Sequence, residues 1–131
     1  MSPVNSNILR LSKADKTPML DFDGETGVFV MAGVSNPENA NDFYIPVIQW
    51  LDDFVLTKPQ KLIVEVRLDY FSTSSSKMIL QVLKKFETLK KNGCNVLIKW
   101  IFFEEDEDLR EAGQQYSEIV DVPFEFVAYK D

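Results

Sequence analysis

Four short apolar runs punctuate the chain: GVFVMAGV (27–34), KLIVEV (61–66), NVLIKWIFF (95–103) and FEFVAY (124–129). Runs of this length, rich in β-branched and aromatic residues, read as strands, KLIVEV and NVLIKWIFF as buried ones. Between them the apolar residues recur at three- and four-residue spacing, the period of a helix with one buried side. Strands alternating with helices fold as an α/β domain around a partly parallel sheet. An earlier run, TPMLDFD (17–23), joins GVFVMAGV through Asp23-Gly24 and Gly27, which is hairpin chemistry and makes the sheet mixed. The predicted order is β-β-α-β-α-β-α-β in one domain over residues 17–131. Residues 1–16 are polar and irregular and are expected to form a flexible N-terminal arm.

SNPEN (35–39) has the composition of a helix start. Ser35 and Asn36 are cap candidates, and Pro37 suits the first helical position. Phe43, Val47, Leu51, Phe54 and Val55 follow at helical spacing. Pro46 lies inside this pattern, so the helix either begins near it or kinks there. A second helix runs from about Ser74 to Lys91, with Ile79, Val82, Leu83, Phe86 and Leu89 as its core stripe and Asn92-Gly93 as its stop. A third covers EEDEDLREAGQQYSEIV (104–120), with Leu109, Ala112, Tyr116 and Ile119 on one face. Its acidic first turn suits the positive end of a helix. Trp50, Trp100 and Cys94 are expected in the core.

The 131 residues carry a net charge of −7, one cysteine and no histidine. A deficit of clustered Lys and Arg argues against nucleic acid and anionic membrane as partners. Without histidine there is no Ser-His or Cys-His nucleophile and no ordinary zinc set. Five consecutive acids, Glu104 to Asp108, have no EF-hand spacing and read as a solvated helix start rather than a metal site. Neither metal nor cofactor is expected. Cys94 has no internal disulfide partner, no apolar run is long enough to span a bilayer, and no signal-peptide pattern is visible. A reducing cytoplasm is the expected setting.

One turn stands apart. LDYFSTSSSK (68–77) places two aromatics and five consecutive hydroxyls, Ser72 to Ser76, between a strand and a helix. One hydroxyl suffices to cap a helix. The carboxyl end of a strand in an open α/β sheet is where ligands gather, and a helix N-terminus favours an anion. The turn therefore suits either a bound anion, although no P-loop glycines are present, or a hydroxyl that is itself phosphorylated. Phosphorylation would change the surface by nearly two negative charges.

This chain resembles the SiaC family of bacterial regulatory phosphoproteins, whose fold is similar to the STAS domains of anti-sigma factor antagonists. The resemblance runs from TPMLDFD onward. It rests on Thr17-Pro18, Phe22-Asp23, GVSNPEN, Phe43-Tyr44 with Pro46, Trp50, LDYFSTSSSK, Trp100 and EEDEDLREAGQQYSEIV. It implies a non-enzymatic switch. An anti-sigma-type Ser/Thr kinase phosphorylates the family's threonine, which matches Thr73, and a PP2C-type phosphatase reverses the step. The unphosphorylated form binds and activates a GGDEF diguanylate cyclase, raising cyclic di-GMP and favouring aggregation and biofilm. Ser72 stands where the family usually has asparagine; it makes an equally good cap but adds a competing hydroxyl. Ser72 and Ser74 are thus the alternative acceptors. The expected partner surface comprises Tyr70, Phe71, Ser72 and Ser74, continuing through Ser75, Ser76, Lys77 and Leu80. The competing reading is a small anion- or nucleotide-binding module using the same turn.

Overall fold

The computed structural model describes residues 7–130. Six strands form one sheet in sequential order: β1 (Ile8–Leu11), β2 (Met19–Asp23), β3 (Val28–Ser35), β4 (Lys61–Phe71), β5 (Asn95–Phe103) and β6 (Phe124–Tyr129). β1, β2 and β3 pair antiparallel, and β3 through β6 pair parallel. Each parallel connection contains a helix: α1 (Ala40–Val55), α2 (Thr73–Lys91) and α3 (Glu107–Ile119). The alternation read from the sequence holds from β2 to β6.

One strand was missed. Ile8–Leu11 pairs with β2, Leu9 opposite Phe22 and Leu11 opposite Leu20, so residues 8–11 are not a loose arm. Leu9 and Leu11 pack against the core, and Arg10 pairs with Asp21 and Asp23 at 3.0 and 3.4 Å. A four-residue edge strand is too short to display a reliable period. Residues 1–6 of the expected arm lie outside the described residues.

The sheet buries one face. Phe29, Val64 and Ile98 are register partners on adjacent strands and point to the same side. On that side Phe29 stacks on Phe22 at 4.6 Å and meets Phe54 of α1 and Phe86 of α2. Two residues along β5, Trp100 meets α3. All three helices therefore cover the same face. On the opposite face Glu65 and Lys99 are register partners, and the Arg67 guanidinium lies 4.1 Å over the Tyr129 ring.

Helix boundaries follow the caps. Ser35 and Asn36 do not start α1, and Pro37 is not its first residue; Asn39 is the cap, accepting from the Asp42 amide at 3.2 Å. Ser35 is held back in β3 because that strand continues pairing with β4 as far as Phe71. α1 starts at Ala40, ahead of Pro46, and runs through it. Asp42 and Pro46 are both exposed, so water can reach the carbonyl that proline leaves unpaired. α2 ends as predicted, on Asn92 and Gly93 (φ 100°). Cys94 N–H donates to Leu89 C=O and Gly93 N–H to Lys90 C=O, a Schellman motif. α3 starts at Glu107 rather than Glu104 because Asp106 caps it, accepting from the Leu109 amide at 3.1 Å.

The parallel pairing of β3 and β4 is regular up to Gly33 and Leu68. There it skips Asp69, so that Val34 pairs with Tyr70 and Ser35 with Phe71. This β-bulge lies immediately before the hydroxyl turn.

Candidate functional site

The five hydroxyls turn out to have five different situations. Ser72 is the N-cap of α2; its Oγ accepts from the Ser75 amide at 3.2 Å. Its own amide donates to the Ser35 carbonyl at 2.9 Å, tying the turn to β3. Ser74 is exposed and lies 3.4 Å from the Ser72 hydroxyl. Ser75 is fully buried and accepts from Ser35 Oγ at 2.8 Å; Ser35 is in turn 2.6 Å from the Tyr44 hydroxyl. Ser76 donates back to the Thr73 carbonyl at 2.7 Å, and its own carbonyl accepts from Tyr116 Oη at 2.8 Å. Thr73 is exposed at the first position of the helix, and among the described residues its hydroxyl has no hydrogen-bond partner.

Ser72 therefore carries the cap. Ser72→Ala is expected to cost about 1 kcal/mol, visible as a lower urea midpoint. Ser72→Asn should leave it near wild type, since both side chains accept from the helix amides.

An open groove of about 370 Å³ runs from this turn between α2 and α3. Phe71, Thr73, Ser76, Lys77 and Leu80 line one side. Ala112, Gln115, Tyr116 and Ile119 line the other. Its floor is built by close packing. Trp100 donates from Nε1 to the Leu109 carbonyl at 2.8 Å, and its ring meets Phe71 and Tyr116 edge-on at 6.5 and 5.6 Å. Gly113 lets α3 come this close: a Cβ there would lie 2.4 to 2.7 Å from three atoms of the Trp100 ring system.

Of the residues expected on the partner surface, Phe71, Ser72, Ser76, Lys77 and Leu80 line the groove. Tyr70 is 54% exposed but faces the neighbouring hollow, beside Asp69, Asp106 and Asp108. Ser75 does not belong on that surface: its side chain is enclosed, spent on the contact with Ser35. Ile119 shares the face of Ala112 and Tyr116, as its spacing implies, and is 55% exposed at the groove rim. Sequence reasoning missed Ser35 and Tyr44, which show no spacing signal because their partnership is made across three elements. The α3 wall was visible as an apolar face, but nothing in its spacing marked it as lining a groove.

Burial pushes the Tyr44 phenol up to about 12, against the opposing effect of its bond to Ser35. Burial raises Tyr116 as well, with a further push from Tyr44 nearby. A phenol with a folded pKa above its unfolded value of about 10 keeps its proton longer when folded. Its contribution to stability is complete below about pH 10 and is lost as the pH rises through the folded value. Denaturant midpoints should therefore fall above about pH 10, and Tyr44→Phe should flatten that fall.

Among the described residues, no group of His, Cys, Asp or Glu is placed to hold a metal. None of the described helices is long and apolar enough to cross a membrane. The buried Cys94 thiol is pushed upward by desolvation and is unsuited to nucleophilic work.

Comparison with known proteins is consistent with this geometry. The SiaC family, described as SiaC family regulatory phosphoprotein, matches residues 11–129. The chain belongs to the SiaC family. A Pseudomonas aeruginosa (strain UCBPP-PA14) protein is 28% identical over 123 residues, covering 94% of this chain and 98% of its own length. The crystal structure of apo-SiaC from P. aeruginosa matches with a TM-score of 0.83 and 26% identity, over 94% of this chain and 100% of that one. A chain in the crystal structure of the diguanylate cyclase SiaD in complex with its activator SiaC matches with a TM-score of 0.85 and 28% identity. That match covers 92% of this chain and 99% of that one. The SiaC structures have the same mixed, mostly parallel sheet with helices.

Proposed function

We propose that this SiaC family protein is a non-enzymatic phospho-switch with Thr73 as the acceptor. The observation that carries this reading is the state of the Thr73 hydroxyl. It is exposed, it sits at a helix N-terminus, and among the described residues it alone of the five hydroxyls is not engaged in a hydrogen bond. An anti-sigma-type Ser/Thr kinase adds the phosphate and a PP2C-type phosphatase removes it. The unmodified form docks on a GGDEF diguanylate cyclase and activates it, controlling cyclic di-GMP and biofilm. The related SiaC activator in complex with SiaD supports the choice of partner.

The physical basis is the groove beside Thr73. Unmodified, its rim offers a neutral hydroxyl, the apolar edges of Phe71, Leu80 and Ile119, and one cation, Lys77. A phosphate on Thr73 adds up to two negative charges to a chain already at −7. A partner shaped for the unmodified rim then meets up to two negative charges that Lys77 only partly offsets.

The test is intact-mass and peptide-mapping mass spectrometry after incubation with such a kinase and ATP, followed by cyclase assays. One phosphate is expected on Thr73 and none on Thr73→Ala. The unmodified protein should stimulate the cyclase, and the phosphoprotein should bind it more than about tenfold more weakly. An active kinase that leaves residues 72–76 unmodified would overturn the reading and bring anion binding at the turn to the front.

A further inference from the structure

The sequence S-T-S-S-S is degenerate as a helix start. Ser72, Thr73 and Ser74 are all good caps, and sliding the cap by one residue costs little locally. Each such slide would unwind one more residue from the helix start and present a different hydroxyl. A kinase choosing among three adjacent hydroxyls of similar chemistry is choosing a position. Something outside the turn has to fix that position.

Two tethers do so. On one side Ser75 Oγ is held by Ser35 Oγ at 2.8 Å, and Ser35 by Tyr44 at 2.6 Å, all three residues having no measurable exposure. With Ser35 donating to Ser75, its lone pairs receive the Tyr44 proton, so the chain runs Tyr44 to Ser35 to Ser75. It links α1, the end of β3 and the first turn of α2. On the other side Tyr116 of α3 donates to the Ser76 carbonyl at 2.8 Å. If the cap slid to Thr73 or Ser74, Ser72 would give up its bonds to the Ser35 carbonyl and the Ser75 amide, and the turn that seats Ser75 against the Ser35 hydroxyl would loosen. Buried hydroxyls left unpaired are disfavoured, so the tether selects one register.

We propose that Tyr44, Ser35 and Ser75 are positioning residues that confine phosphorylation to Thr73. This rests on the reading of the turn as a modification site. The three residues touch neither nucleotide nor acceptor; they act through the register of α2. Cutting the chain frees the turn to sample neighbouring caps, and the phosphate spreads to Ser72 and Ser74.

The experiment is peptide mapping of phosphate after incubation with the anti-sigma-type kinase and ATP. It uses wild type, Tyr44→Phe, Ser35→Ala and Ser75→Ala, each alone and with Thr73→Ala. Val82→Ala, a core truncation in α2 away from the chain, is the control for lost stability alone. Tyr44→Phe keeps the ring and removes only the hydroxyl, so it is the variant that disturbs packing least. Selectivity for Thr73 over its neighbours is expected to drop roughly fivefold in the tether variants and to stay unchanged in Val82→Ala. Thr73→Ala should take no phosphate in the wild-type background and regain it at Ser72 or Ser74 in the Tyr44→Phe background. Phosphate confined to Thr73 in every folded variant, or an equal loss of selectivity in Val82→Ala, overturns the selectivity claim alone. No phosphate between residues 72 and 76 of the wild type overturns the switch reading, and this claim with it.

Discussion

Trp100→Ala should destabilise the protein by about 3–5 kcal/mol, a large share of the 5–15 kcal/mol typical of a whole domain. The residue is 1% exposed and sits where β5, α3 and the groove meet. Its removal opens a cavity that α3 cannot collapse into, because its connection to β5 is short and capped by Asp106. The change also removes the Nε1 donor and leaves the Leu109 carbonyl without its 2.8 Å partner inside the protein. Function should suffer beyond stability. Phe71 and Tyr116 both lean on the indole, so the groove floor loosens even in molecules that remain folded. Urea unfolding and a cyclase-binding assay on the folded fraction read the two effects separately. Trp100→Phe should fall in between, keeping an aromatic ring and losing the hydrogen bond. A loss below about 1 kcal/mol for Trp100→Ala, far under the usual range for a buried Trp, would mean that the indole is not the keystone of this end.

Gly113→Ala carries the second large expectation, and two effects of opposite sign compete in it. Alanine in a helix interior is favoured over glycine by about 1 kcal/mol. Against this, the added Cβ would lie 2.4 Å from Trp100 Cδ1 and 2.5 Å from Nε1. These are atoms of a rigid, enclosed ring, not the tip of a flexible chain. Either α3 moves away or the indole leaves its rotamer, and overpacking of this kind costs about 1–3 kcal/mol. The collision should win, giving a net loss that thermal unfolding reads directly. Combining Gly113→Ala with Trp100→Leu tests the cause. A smaller residue at 100 makes room for the methyl, so the double variant should lose clearly less than the two single losses together. Strict additivity would disconnect the glycine from the tryptophan.

The strands and helices that bury a full stripe were legible from period alone. NVLIKWIFF was placed residue for residue and KLIVEV from its first residue, although β4 runs on to Phe71; FEFVAY was placed in full too, and is an edge strand with no fully buried residue. β1 escaped because four residues at a sheet edge carry too little pattern, and its pairing with β2 is a long-range fact. Ser35 was read as a cap because its neighbours, Asn36 and Pro37, look like a helix start; pairing with β4 keeps it in the sheet instead. The site divides in the same way. The hydroxyl turn announced itself by composition, and Thr73 entered through resemblance to the SiaC family. What separates Thr73 from the serines around it is that each of their hydroxyls is engaged, Ser72, Ser74 and Ser76 within the turn and Ser75 with Ser35 on β3. The Ser35 contact lies outside any local window, and the others follow from which residue takes the cap. The second wall of the groove, from Ala112 to Ile119, was not legible as a wall, because an apolar helix face has the same spacing whether it meets a sheet or lines a cleft.

Inward and outward positions on β4 obey an odd-even rule until Leu68: Leu62, Val64, Val66 and Leu68 all point to the helices. The unpaired Asp69 resets that rule once. With it, Phe71 faces Trp100 and Tyr116, and Tyr70 faces solvent. Were Asp69 paired with Val34 instead, the parity would carry Tyr70 inward and Phe71 out, exchanging the two aromatics. Loss of Asp69, by contrast, would close the bulge and leave Tyr70 opposite Val34 and Phe71 opposite Ser35. The facing of the two aromatics is set by the count of paired residues, and Asp69 lengthens the strand without entering that count.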